Sequence, residues 1–232
     1  MDTTSEFRLR LVRGESPVPV FNDLPEDPAQ RALLSGVLGA LMISLDAKDS
    51  YTKGHSERVS LLAKLIALQL GMDDNEIELI RLAGMVHDLG KIGVPESVLR
   101  KAGKLTDAEF EMIKIHPDVG RRIVQEIPLL FRVIPAVLHH HERWDGRGYP
   151  SKLKEESIPF FARILSVADA FDAMCSTRCY STPMTREQVI AEISRSQGKQ
   201  FDPVVVEAFL KVNLNSYEEM LAIHQGPLQK VA

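Results

Sequence analysis

His87 and Asp88 stand side by side at the end of an apolar, helix-like run from Ile77 to Val86, and Gly90, Lys91 and Gly93 follow at once. Imidazole suits borderline transition metals and a carboxylate can bridge two cations, so the adjacent pair can serve two metals from one anchor point. Lys91 supplies a positive charge where a phosphate oxygen can use it. Gly90 reads as the residue just beyond a helix C-terminus, where glycine is strongly favoured. A His-Asp dipeptide by itself occurs often by chance and carries little.

The rest of the histidine inventory adds weight. Of seven histidines, His55, His87, His116, His139, His140 and His141 fall at helix ends or in breaks between helices. Irregular backbone at such places can aim side chains inward. His224 has no acidic or histidine neighbour in the chain and reads as surface. Asp169 lies inside the apolar run from Ile164 to Phe171, where a carboxylate is costly to bury unless it is paired or bound to metal. One cation with four ligands leaves several histidines unexplained. Two cations bridged by Asp88 and a hydroxide would use His55, His87, Asp169, His116, His140 and His141, a centre suited to phosphate-ester hydrolysis. Lys91 and Arg178 are cations that can reach the non-bridging phosphate oxygens, an ordinary surface arginine being the competing reading of Arg178. In the loop from Trp144 to Pro150, glycines permit close backbone approach and aromatics can stack on a base. On composition alone that loop reads equally as a plain surface turn, and better so.

The elements that must position these groups are helical. Leu33, Leu34, Val37, Leu38, Leu41, Met42 and Leu45 recur at helical spacing. After a polar break, His55 opens a run through Leu70 that Gly71 ends. Asn75 is the expected cap of the helix leading to His87. Thr106 and Glu109 form a capping-box pattern, and the helix they start is expected to stop near His116-Pro117, because the residue before proline disfavours helical geometry. Short helices are expected from Asp118 to Glu126 and from Leu129 to His141, with Pro135 as a kink. Further helices are expected from Phe160 to Ser176, after Thr185, from Val204 to Val212 after Asp202-Pro203, and from Ser216 to His224. Period-two alternation bounded by hairpin turns is absent. The fold class is all-α.

At 232 residues and a net charge of −4, with acids and bases interspersed, the chain has length for one domain and lacks the basic surface that an extended nucleic acid requires. A small phosphorylated ligand held by a local cation cluster remains open. Cys175 and Cys179 read as buried thiols rather than a disulfide or metal pair. The N-terminus shows no signal peptide and no apolar run reaches the length of a membrane span, so the chain reads as cytoplasmic. Residues 1–30, proline-bearing and aperiodic, read as a linker or tail, and residues 31–232 as the functional domain.

Taken together, YTKGHSERV, HDLGKIGVP, HPDVG, HHERWDGRGYP, RILSVADAFDAM and FDP closely resemble, in order and approximate spacing, the HD-GYP family of the HD phosphohydrolase superfamily. The resemblance covers about Leu33 to Val212. It implies an HD-domain-like helical bundle with a two- or three-metal centre, iron or manganese, that hydrolyses cyclic di-GMP to linear pGpG and often on to GMP. Carried over by position, the metal residues are His55, His87, Asp88, His116, His140, His141 and Asp169. Lys91 and Arg178 would engage phosphate, and Asp88 and Lys91 carry the chemistry. Gly148, Tyr149 and Pro150 are the GYP triplet, on a loop that the resemblance associates with substrate access and with partners such as diguanylate cyclases (GGDEF proteins). Tyr51 stands where three-metal members carry a glutamate, which favours two metals. His139 is left as an extra histidine. The resemblance is compatible with a dimer and with a sensor or receiver domain ahead of the N-terminal segment. The rival readings are a catalytically silent HD-GYP signalling module and an HD hydrolase of other nucleotides.

Overall fold

The computed structural model describes residues 24, 27–48, 54–101, 103–176 and 184–224. Tyr51, Arg178, Cys179 and nearly all of the N-terminal segment lie outside these ranges, and so do the expectations attached to them. The all-α expectation holds: among the described residues, extended pairing is limited to an isolated bridge between Gln197 and Phe201. No helix among them is long and apolar enough to cross a membrane.

The frame is a packed trio: α2 (His55–Gln69), α3 (Asp74–Val86) and α8 (Phe160–Cys175). They bury Val59, Leu62, Ile66, Ile80, Val86, Ile164 and Leu165 without residual exposure. Each such side chain contributes on the order of 1.5–3 kcal/mol of burial free energy. Helix α1 (Pro28–Lys48) begins a little before the expected boundary and lies against α3 and against a 3₁₀ turn, Leu89–Gly93. The remaining helices are α4 (Glu96–Leu99), α5 (Asp107–Ile113), α6 (His116–Val124), α7 (Ile134–His139), α9 (Arg186–Arg195), α10 (Pro203–Phe209) and α11 (Asn215–His224).

Caps explain most of the boundaries. Thr106 with Glu109 and Thr185 with Gln188 form the expected capping boxes. Asp202 Oδ1 accepts the Val204 N–H at 2.8 Å, with Pro203 in the first turn. The cap of α3 is Asp73, not Asn75: Asp73 and Glu76 exchange side-chain and backbone hydrogen bonds, which an asparagine inside the first turn cannot do.

Two prolines act differently from their reading. The helix before Pro117 ends at Ile113, and His116 opens α6 with Pro117 in its first turn. Pro135 likewise sits in the first turn of α7, after a 3₁₀ segment Pro128–Val133, and kinks nothing. In a first turn the missing N–H costs nothing, since it has no intrahelical partner anyway.

Gly90 is also corrected. The α-helix stops at Val86, and Gly90, inside the following 3₁₀ turn, is not left-handed. Its backbone presses on α6: a Cβ there would lie 1.8 Å from the His116 carbonyl oxygen and 2.4 Å from Gly120 N. Glycine is needed for the approach that brings His116 beside Asp88.

Candidate metal centre

Five imidazoles converge on Asp88. His55, His87 and Asp88 offer donor atoms within 4.8 Å of one another, and so do Asp88, His116, His140 and His141. Asp88 belongs to both groups through different oxygens: Oδ2 lies 3.5 Å from both His55 Nε2 and His87 Nε2, while Oδ1 lies 3.4 Å from His116 Nε2. Asp169 stands at the edge, its Oδ1 3.3 Å from His55 Nε2, with its carboxylate 18% exposed toward a cleft. Lys91 Nζ donates to Asp88 Oδ2 at 2.6 Å. His139 stays out of the cluster; its Nδ1 is 3.6 Å from Glu142 Oε1.

The way the rings are held decides which nitrogen is offered. Nδ1 of His87 donates to the Gly84 carbonyl at 2.7 Å, His116 to Ile113 at 2.8 Å, and His140 to Val137 at 2.7 Å. Each accepting carbonyl lies three residues back, in the last turn of a helix, where carbonyls lack intrahelical partners. Nε2 of each ring is thereby left as a bare lone pair facing the centre.

These lone pairs test the fit of a cation. His87 Nε2 and His55 Nε2 are buried with no hydrogen-bond partner. His116 Nε2 and His140 Nε2 face each other across 3.3 Å with both Nδ1 positions already donating, so they can share a proton only if one ring is charged. Burial and the neighbouring His141 and His87 hold His140 well below its ordinary pKa, and burial lowers His116 against the pull of Asp88. His141 is pushed down to about 3 by burial and His116. Burial would raise Asp88, but Lys91 and the rings of His87, His55 and His116 outweigh it and keep the carboxylate ionised. The neutral imidazoles of His116, His140 and His141 beside an ionised carboxylate are a donor set suited to a divalent transition metal. The residues present fit divalent cations.

His55 departs from the pattern. It opens α2, and its Nδ1 meets a carboxylate, Asp172 Oδ2, at 2.7 Å. Burial would lower His55, yet Asp169, Asp172 and Asp88 together raise it to about 10. Asp172 is itself fully buried, held by Arg58 through Nε at 2.6 Å and Nη2 at 3.0 Å and by the Tyr217 hydroxyl at 2.8 Å. These three residues were missed in the sequence. A signal existed: Asp172 follows Asp169, and Arg58 follows His55, at the three-residue spacing that puts both on one helix face. His224, read as surface, is half-buried; its Nε2 pairs with Glu57 at 3.0 Å and its Nδ1 accepts from Arg58 at 3.3 Å.

Beside the histidines opens a cleft of about 490 Å³ lined by Phe110, Lys114, His141, Tyr149, Lys152 and Asp169, among others. Tyr149 stacks on His141 with centroids 4.8 Å apart, and Lys114 lies over the Phe110 ring at 4.8 Å. Burial, with Asp169 and Asp88, raises the Tyr149 phenol and keeps it neutral. The loop carrying it is no plain surface turn. Tyr149 N donates to the His141 carbonyl at 3.2 Å, Trp144 N to Gln200, and Glu142 Oε1 accepts from Ser151 N at 2.7 Å. A Cβ on Gly148 would sit 2.4 Å from Arg143 N, so the loop folds back on the segment that carries His141. Trp144 faces a separate hollow with Lys154 and Lys199. Cys175 is a buried free thiol, pushed up to about 12 chiefly by burial.

Comparison with known proteins agrees with this geometry. The HD domain matches residues 40–205. A cyclic di-GMP phosphodiesterase of Thermotoga maritima is 44% identical over 178 residues, covering 76% of this chain and 48% of the relative. The cyclic di-GMP phosphodiesterase response regulator RpfG of Xanthomonas campestris is 41% identical over 176 residues, 75% of this chain and 47% of the relative. The chain thus spans about half the length of the curated relatives it matches. Among solved structures, a cyclic GMP-AMP-specific phosphodiesterase of Vibrio cholerae superposes with a TM-score of 0.62 at 21% identity, over 83% of this chain and 51% of that one, a likeness of fold.

Proposed function

This chain belongs to the HD domain family, and on that premise we propose that it is a phosphodiesterase that opens cyclic di-GMP to linear pGpG at a two-metal site, iron or manganese. The observation that carries the reading is Asp88, which turns one carboxylate oxygen to His55 and His87 and the other to His116. Asp88 would then serve two cations, one of which His55, His87 and Asp169 would hold and the other His116, His140 and His141. Held there, divalent cations supply Lewis acidity to the phosphoryl oxygens and make water a nucleophile at neutral pH.

The chain's own groups do the rest. Lys91, 15% exposed and resting on Asp88, is a mobile cation that can lean from the carboxylate to a phosphoryl oxygen as charge develops there. Lys114 and Lys152 give the cleft a positive wall for a dinucleotide's phosphates, and the rings of Phe110 and Tyr149 give a base a surface to stack on. Arg178, outside the described residues, keeps its proposed role toward phosphate. The names of the Thermotoga and Xanthomonas relatives support cyclic di-GMP as the substrate. The test is turnover of cyclic di-GMP, beside cyclic GMP-AMP, by protein loaded with manganese or iron. Cleavage of the GMP-AMP ring alone would overturn the choice of substrate, and cleavage of neither would overturn the activity.

A further inference from the structure

His87, His116 and His140 are oriented by backbone carbonyls three residues back, supplied by the helix that each one ends or follows. His55 is the first residue of α2. Its Nδ1 is held instead by Asp172 Oδ2, a side chain from α8. Asp172 is held in turn by Tyr217 of α11, whose hydroxyl donates to Oδ1 at 2.8 Å, and by Arg58 of α2, which donates to Oδ1 through Nε and to Oδ2 through Nη2. Ser176 Oγ also donates to Oδ2, at 3.1 Å. Tyr217 is 1% exposed and lies beyond residue 205, where the family match ends.

We infer that Asp172 and Tyr217 are positioning residues for one half of the centre: through His55 they set the affinity of the cation at His55 and His87 and leave the one at His116, His140 and His141 alone. The inference rests on the two-metal reading above. A carboxylate on the far nitrogen fixes the ring and raises its basicity toward a cation, which a neutral carbonyl does less. The dependence is one-sided by construction. Asp172 and Tyr217 donate to or accept from none of the second group of ligands, of which His116 and His140 are held by carbonyls of their own segments. The last helix, α11, is therefore part of the site, although none of its residues faces the cleft.

The experiment is titration of the metal-free full chain with Mn(II), followed by calorimetry, for the wild type, Asp172→Asn and Tyr217→Phe. Asn keeps the shape and an accepting oxygen but loses the charge. One of two Mn(II) ions is expected to bind about 10–100-fold more weakly in Asp172→Asn. Tyr217→Phe keeps the ring packed on Phe171 and should weaken the same ion by about twofold to tenfold, the size of one hydrogen bond. A merely structural role would lower the unfolding temperature and move both ions together or neither. Either of those results overturns the inference, as does a wild type that holds no Mn(II). If Asp172→Asn does not fold, Tyr217→Phe decides alone. Cyclic di-GMP turnover on the same preparations separates the two readings. Two Mn(II) bound without turnover contradicts the phosphodiesterase, and turnover with unshifted Mn(II) in both variants contradicts only the positioning role.

Discussion

Lys91 Nζ donates to Asp88 Oδ2 across 2.6 Å, so the cation proposed to meet a phosphate oxygen rests on the carboxylate shared by both groups of histidines. Lys91→Ala removes charge from the reacting phosphoryl group without removing a metal donor. We expect two metals per chain to be retained and kcat for cyclic di-GMP to fall on the order of 10²-fold, about 3 kcal/mol. Metal analysis and steady-state hydrolysis on one preparation check this. An unchanged kcat would make Lys91 a screened surface charge, worth less than about 1 kcal/mol.

Asp88→Asn keeps the volume but takes away the one carboxylate that faces both groups. Its loss should weaken both cations together, unlike a change at Asp172. Calorimetric titration with Mn(II) should show both steps weakened and turnover lost with them. A variant that keeps one tight ion would mean Asp88 belongs to one group only.

Gly90→Ala tests whether the close approach to α6 is obligatory. A Cβ 1.8 Å from the His116 carbonyl forces the 3₁₀ turn and α6 apart. Overpacking of this kind costs about 1–3 kcal/mol, and it should also move His116 from Asp88. Denaturant unfolding should show the lost stability and Mn(II) titration the weaker ion. A variant as stable as the wild type, with both ions intact, would show that the contact is dispensable.

Tyr149→Phe and Tyr149→Ala separate ring from hydroxyl. The ring stacks on His141 at an interplanar angle of 30° on the cleft wall, and base–aromatic stacking contributes about 1–3 kcal/mol. The KM for cyclic di-GMP should stay within about twofold in Phe and rise about tenfold or more in Ala. Equal KM values in all three proteins would take the base off this wall.

The histidines that gather around Asp88 stood out in the sequence because they punctuate the helical pattern, and Asp169 because a carboxylate stood in an apolar run. What lay hidden depended on contacts across the fold. Asp172 sits in the same helix three residues on, and that spacing was its one local mark, since its partners Arg58 and Tyr217 come from α2 and α11. Pro117 was read as ending the helix behind it and Pro135 as kinking a helix around it, and each lies in the first turn of the helix ahead. Gly90 carried the composition of a helix stop, and its cause is a neighbour nearly thirty residues away in the chain, near His116.

The most direct test loads the metal-free chain anaerobically with iron or manganese, counts bound metal, and follows cyclic di-GMP in the same sample. The expected result is close to two metals per chain and conversion to linear pGpG, with both lost in Asp88→Asn. Two metals bound beside Asp88 and no cleavage of cyclic di-GMP would contradict it.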